Sequence, residues 1–311
     1  MSPDFIVNWL AAVPVAATPL LLAALGLIVC ERAGVLNLSA EGLMLVGSLG
    51  AAAAYLELGR DPWLGMLAAF VAGCLLSVVF AFLTVVMRAN QVVSGLAVVF
   101  LAIGLTSMLG QLGGWANQPV AGFSRLAIPV LSDIPILGPI LFRQDAWVYL
   151  SLVLLVAVNW VLFRTMLGLR LRSVGHAPHA VDSMGIDVLA LRFLAVVVGG
   201  GIVGLAGGYL VLASGKIWVD QMTNGRGWIA IALVIFAGWL PTRALLGALI
   251  FGGIGALIPR VLASGAALPQ YYVLMTPYVA TLLVLVWAAV RKRDLGAPHA
   301  LGLPFVREDR R

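Results

Sequence analysis

The feature that most restricts this chain is the return, from one end to the other, of apolar runs about 20 residues long. Coiled as helices, such runs span the roughly 30 Å hydrocarbon layer of a bilayer. Coarse spans fall at 5–30, 39–57, 63–87, 91–112, 146–164, 189–213, 227–240, 244–260 and 271–290, about nine in all, with eight or ten within reach of the same pattern. Only 10% of the residues are charged and the mean hydropathy is +1.07. Ordinary soluble domains carry about a quarter charged residues, so a soluble protein is excluded. The expected fold class is an all-α polytopic membrane protein, with residues 1–311 forming one transmembrane domain. The first run follows MSPD, which lacks the basic n-region of a secretory signal, and it is longer than a signal's apolar core, so it reads as a retained span.

The net charge of +6 does not point to nucleic acid, because the basic residues are almost all arginines scattered through short loops. In a membrane protein such a surplus records orientation. With the C-terminus in the cytoplasm and the N-terminus outside, only Arg60, Arg125, Arg143, Lys216, Arg226 and Arg260 lie outside, and the other basic residues lie within. Cys30 and Cys74 sit in apolar surroundings without ligand spacing and read as small core residues.

Two connecting segments are long. Residues 113–145 are rich in Pro and Gly yet apolar, which places them against the outer interface. Residues 165–188 are polar, basic and cytoplasmic in this orientation, as is the tail 291–311. Within the first, Pro178 suits the first turn of a helix and Gly185 its end, with Ala180, Val181 and Met184 on one face. A helix of two turns is unstable alone, so it needs something to dock against.

Two breaks interrupt the apolar pattern. In GVLNLSAEGLMLVGS, residues 34–48, a carboxylate stands beside an oily span, where immersing a charge costs a few kcal/mol unless it faces water, a partner or a cavity. Asn37 and Ser39 are both suited to cap the helix that follows, and Glu41 in its first turn suits the helix dipole. The second break, TNGRG before WIAIALVIFAGWL, leads into an apolar helix too short to cross. Interrupted segments of this kind mark transport pathways, and helix capping at the membrane surface is compatible with that role. Candidate pathway residues are Asn37, Ser39, Glu41, Asn90, Gln91, Ser94, Thr106, Ser107, Asn224, Arg226 and Trp228, polar or aromatic groups beside breaks or on otherwise apolar spans. Gln91 and Ser94 share a helix face. Gly200, Gly204 and Gly208, with Gly252, Gly253 and Gly255, allow close helix approach, inside the chain or between subunits.

ERAGVLNLSAEGLMLVGS, NQVVSGLAVVFLAIGLTSML, LSDIPILGPILF, the 164–192 segment ending in GIDVLALR, and MTNGRGWIAIALVIFAGWLP occur in the order found in the membrane permease subunits of ABC importers of the branched-chain amino acid and ribose superfamily. The chain resembles these permeases over roughly residues 15–290, and within them the purine nucleoside and simple-sugar branch. That resemblance implies a helical permease fold with inverted repeats and a place in the bacterial plasma membrane; no cofactor is expected, and the HxxH at His176 and His179, with no nearby Cys and only Asp182 and Asp187 to help, reads as solvated loop residues and not as a metal site. The resemblance also implies a cytoplasmic ABC ATPase, a second and paralogous permease subunit, and an external substrate-binding lipoprotein as partners. Carried onto this chain, the ATPase-coupling residues would be Arg172, Gly175, His176, Pro178, Ala180, Val181, Met184 and Gly185. Relatives commonly have Glu and Asn just before the proline, where this chain departs with His176 and Ala177.

The residues agree with such a passive role. No GxxxxGK[ST] phosphate loop is present, so energy from ATP must come from a partner. An ion-coupled transporter needs ionisable groups inside its spans, and here Glu31 and Glu41 stand only at their edges. An intramembrane enzyme lacks its signatures too: His176, His179 and His299 all fall in hydrophilic segments and no HExxH occurs. The expected solute is a nucleoside, then a ribose-like sugar, then a branched-chain amino acid.

Overall fold

A computed structural model describes residues 3–129, 131–263, 296–307 and positions 275, 276, 279, 282, 283 and 286. Most of the expected span 271–290, and the tail positions 291–295 and 308–311, lie outside the described residues. The helices are α1 Pro3–Arg32, α2 Ala40–Glu57, α3 Pro62–Ala81, α4 Gln91–Leu112, α5 Ala146–Arg164, α6 Met166–His176, α7 Pro178–Ser183, α8 Val188–Tyr209, α9 Arg226–Ala237 and α10 Pro241–Ala263. Wider π-type turns, Phe82–Val86 and Leu210–Gly215, extend α3 and α8.

Side-chain caps set five of these helix starts. Asp61, Asn90, Asp145, Thr165 and Asp187 each accept from backbone N–H groups in the first turn of α3, α4, α5, α6 and α8, bonds whose loss costs about 1 kcal/mol apiece. Among the described residues, six helices are long and apolar enough to cross a membrane: α1, α3 with its extension, α4, α5, α8 with its extension, and α10. Two expected spans differ. α2 has 18 residues and carries Glu41 and Glu57 near its ends. α9 has only 12, which at 1.5 Å per residue gives about 18 Å and crosses roughly half of the hydrocarbon layer.

α1, α2 and α8 form the centre. The middle of α1, Leu22 to Leu25, is wholly buried, although Pro14 and Pro19 interrupt its bonding ladder. The glycines of α8 are spent within the chain. A Cβ on Gly199 would stand 2.5 Å from the Gly26 carbonyl of α1, one on Gly204 2.4 Å from the Ala69 carbonyl of α3, and one on Gly207 1.9 Å from the Met44 carbonyl of α2. Three helices therefore approach α8 at backbone distance, the arrangement small residues permit in lipid. Gly252 likewise abuts Ala17, whereas a Cβ on Gly255 would meet none of the described residues within 4 Å. α3, α4 and α5 turn large apolar side chains outward, among them Leu75, Phe100 and Val156.

The 113–145 segment is more ordered than a simple connection. Strands β1 Arg125–Ala127 and β2 Arg143–Asp145 pair antiparallel, and Phe123 sits among Trp63 and Trp147 with ring centroids 5.0 and 6.4 Å away. Backbone bonds from Val120 to Lys216 and from Phe123 to Leu212 tie it to the end of α8. Residues 166–176, expected as polar loop, form α6, because Gly168, Leu171, Val174 and Gly175 make an inward stripe behind the Thr165 cap.

Candidate functional site

The two breaks meet. Residues 33–39 leave the helical path between α1 and α2, with Gly34 at φ +89°, and the turn before α9 passes through Asn224 at φ +45° and Gly225 at φ +77°. The left-handed region favours glycine and tolerates asparagine, which explains the Asn-Gly pair at this corner. Gly227 must also be small, since a Cβ there would lie 2.4 Å from the Glu41 backbone nitrogen. The start of α9 thus presses on the start of α2.

Glu41 occupies the junction and is 7% exposed. Its Oε1 accepts from the Thr223 hydroxyl at 2.6 Å and from the Gly225 N–H at 2.8 Å, and its Oε2 accepts from the Gly227 N–H at 2.7 Å. The first N–H groups of a helix lack intrahelical partners and carry partial positive charge. A carboxylate supplied from α2 therefore caps α9. At the other end of α9, Gly238 and Trp239 continue in the left-handed region, and their carbonyls accept from the Arg32 guanidinium at 3.4 and 3.0 Å. The half-helix has an anion at its N-terminus and a cation at its C-terminus, the pairing its dipole favours.

Beside Glu41 lies a cavity of about 340 Å³, lined by Glu41, Leu45, Leu96, Val99, Phe100, Ile103, Gln221, Thr223, Asn224, Gly225 and Trp228. Its walls come from α2, α4, the turn before α9 and the first residues of α9, and it combines the aromatic side chains of Trp228 and the outward-turned Phe100, 70% exposed, with a few polar groups. That size and mixture are typical of small-molecule sites, which run from about 300 to 1,000 Å³. On the other side of the turn a cavity of about 430 Å³ opens between α1 and α10, with Asn224, Arg226, Arg125 and Arg260 in its walls. Asn224 borders both. Arg226 also donates to the Met222 and Thr223 carbonyls at 3.2 Å, which stiffens the turn.

Of the pathway candidates, the structure brings Glu41, Asn224 and Trp228 together at the first cavity and Asn224 and Arg226 at the second. The others are placed differently. Asn37 and Ser39 are fully buried and bonded to each other, the Asn37 Oδ1 accepting from the Ser39 N–H at 3.0 Å and from its hydroxyl. Ser39 precedes α2 but makes no side-chain cap. Gln91 braces the first break by accepting from the Leu36 N–H at 2.7 Å. Asn90 is an exposed cap of α4. Ser94 and Thr106 lie on the buried face of α4, where Thr106 donates to the Ala102 carbonyl of its own helix. Ser107 donates to Asp220 at 2.7 Å. Thr223, Gln221 and Phe100 were not anticipated. Thr223 stands one residue before the Asn-Gly pair, and that position was the only signal for it.

The second candidate set lies at the opposite end of α9, where α6 and α7 meet. Gly175 is buried against the first break, with room for no Cβ beside the Arg32 carbonyl. Arg172 and Arg32 both stack on Phe163, at 5.0 and 5.5 Å from the ring centroid. Val181 is 2% exposed and points inward, while Ala180 is exposed and Met184 is 71% exposed. The expected common face of α7 is therefore split, because a helix of six residues turns Val181 toward the core and its neighbours away. Pro178 occupies the first turn of α7 and Gly185 follows it at φ +79°. His176 packs edge-on against His299 at 5.1 Å. Burial first, then His299 and the guanidiniums of Arg32 and Arg172, hold its imidazole below the ordinary histidine value.

Residues 9–286 match the family described as the permease component of the branched-chain amino acid transport system. The chain is similar to a putative glucose ABC transporter permease of Haloferax volcanii, 40% identical over 98% of this chain and 99% of that protein. It is also similar to the guanosine ABC transporter permease of Bacillus subtilis, 37% identical over 94% and 95%, and to a nucleoside ABC transporter permease of Lactococcus lactis, 33% identical over 94% of both.

Proposed function

The chain belongs to the permease family of branched-chain amino acid transport systems, and from that membership we propose that it conducts a nucleoside, received from an external binding protein, through a path controlled by a cytoplasmic ATPase. It is the membrane-spanning permease subunit of an ABC transporter. The observation that carries the transport reading is the junction at Glu41, where a half-helix ends inside the bundle against a cavity. Non-helical backbone at membrane depth is tolerated where it lines such a space, and half-helix ends beside a central site are a recurring transporter device.

The nucleoside reading rests on the guanosine and nucleoside relatives and on the wall of the cavity, where Trp228 and Phe100 offer aromatic faces to a flat base and Glu41, Gln221 and Asn224 offer polar atoms to a ribose. A second reading, a glucose-like sugar, is favoured by the Haloferax relative. The N-terminus is placed outside and the C-terminus in the cytoplasm, with a paralogous permease subunit as the other half of the path. Exposed Ala180 on α7 and Met184 just after it face the ATPase, and ATP-driven closure shifts the bundle by favouring one of two arrangements.

The test is uptake by proteoliposomes holding the chain with its ATPase, second permease and binding protein. Tritiated guanosine should accumulate only with ATP, should continue when ion gradients are collapsed, and should be displaced by excess unlabelled uridine but not by glucose. Displacement by glucose alone would select the sugar reading. Accumulation by this chain without the ATPase would refute the permease mechanism.

A further inference from the structure

The tail 296–307 does not trail from the bundle but lies across the junction of α6, α7 and the first break. Phe305, 6% exposed, packs with Val174 of α6, Val181 of α7 and Val188 at the start of α8, and its ring is 5.1 Å from His179. The Arg307 Nε stands 3.1 Å from the Asp182 carboxylate of α7. Further back, the Ala300 N–H donates to the Gly175 carbonyl at 2.9 Å and the Gly302 N–H to the Gly34 carbonyl at 3.3 Å. The Leu303 carbonyl accepts from buried Arg192 at 2.9 Å, and the Gly296 carbonyl from Arg32 at 3.3 Å.

One short segment is thus bonded to α6, to α7, to α8, to Arg32 at the end of α1 and to Gly34 in the first break. We propose that residues 296–307 are a strap that passes displacement of α7 to the first break, with Phe305 as its positioning residue, so that the tail is a working part of the coupling element. The inference rests on the reading of α7 as the ATPase contact. Its physical basis is the route of bonds. Val181 is the inward residue of α7 and Phe305 covers it, while Gly34 and Arg32 are where the strap reaches the break. Arg32 holds the C-terminal carbonyls of α9, and Glu41, at the far side of the same break, holds its N-terminus beside the cavity. A push on Val181 therefore has a continuous path of packed groups to α9. Among the described residues, Val181 is the one buried side chain of α7, and Phe305 of the strap is part of what buries it. A contiguous path is a warrant for coupling only when its interruption uncouples the ends, and the test does that.

The full chain carrying Asn224→Cys is purified with its ATPase, and modification by a polar maleimide is followed at residue 224 by mass spectrometry, with and without a non-hydrolysable ATP analogue. This readout needs no transported solute. The analogue should change the labelling rate in the parent. Phe305→Ala should leave the ATPase bound and shrink the nucleotide-dependent change about tenfold, as expected when a buried aromatic anchor is removed, while Phe305→Leu should keep most of it. Where Phe305→Ala fails to accumulate, the exposed pair decides: Arg307→Asp should lower the response about twofold, and adding Asp182→Arg should restore it. An unchanged nucleotide response in Phe305→Ala, a parent that ignores nucleotide, or loss of the ATPase from Phe305→Ala but not from Ala180→Asp would overturn the strap. An ATPase that stays bound to Ala180→Asp would refute the α7 reading itself, whatever the tail does.

Discussion

Replacing Glu41 by glutamine tests the junction with the least change of shape. The amide oxygen can still accept from Thr223 and Gly225, but both bonds lose their charge assistance, which removes about 1 kcal/mol from each. The amide nitrogen then faces the Gly227 N–H, 2.7 Å from the atom it replaces, and two donors cannot bond. A buried N–H left without an acceptor costs about 1–3 kcal/mol. Loss of the anion from the N-terminus of α9 adds about 0.3–1 kcal/mol. The junction is therefore weakened by about 3–6 kcal/mol, and if only a third of that separates the working arrangement from a slack one, uptake falls about tenfold. Helix insertion depends on the apolar runs and should not change. The assay is guanosine uptake at matched membrane levels of wild type, Glu41→Asp, Glu41→Gln and Glu41→Ala. Aspartate keeps the charge but withdraws it by one methylene, so activity should fall in that order. Glutamine activity within about twofold of wild type would refute the reasoning, because it would show that the bonds to α9 contribute little to the conducting arrangement.

Gly204→Val should lower the thermal stability of the detergent-solubilised protein sharply, since its Cβ would lie 2.4 Å from the Ala69 carbonyl and neither backbone can retreat; overpacking of this kind costs about 1–3 kcal/mol or more, whereas Gly255→Ala, with none of the described residues within 4 Å, should be silent. The His176–His299 contact should loosen in acid: the folded value of His176 is depressed, so its stabilising share is complete above about 6.5, the ordinary imidazole value, and is lost as pH falls through the lower folded value. Protease protection of the tail should follow that curve, and His176→Gln should flatten it. A cysteine at Ser39, fully buried here, should resist a polar thiol reagent in the nucleotide-free protein and react only in a nucleotide-bound state that opens the first break; equal labelling in both states would leave Ser39 no part in gating.

The long helices were legible because length, apolar content and capping residues are local properties. Asp61, Asn90, Asp145 and Asp187 stand where the apolar runs begin, and each caps the helix that follows. α6 was also within reach, since Thr165 and the stripe Gly168, Leu171, Val174 form a capped helical period, but its arginines made the segment read as loop. The meeting of Glu41 with Thr223, Gly225 and Gly227 was not legible, because the partners are 182 to 186 residues apart and nothing local says which donors a carboxylate will find. The same holds for Asp145, which caps α5 and also accepts from buried Tyr209 at 2.7 Å. A pattern announces that a polar residue beside a span needs partners, but not which ones.

The spacing of the first break has a consequence for how α9 can move. A 12-residue helix is too short to be stable by itself, and both of its ends lie at breaks in the backbone. Arg32 and Glu41 hold those two ends, and both belong to the same stretch, on either side of residues 33–39. Because that stretch is not helical, the distance between its two charges is set by its own turns, by the bond between Asn37 and Ser39, and by Gln91 at Leu36. Any rearrangement of residues 33–39 must carry α9 with it or break charge-assisted bonds at one end. The buried asparagine, serine and glutamine thus have a structural part that needs no contact with a solute: they fix the length of the clamp that holds the two ends of α9.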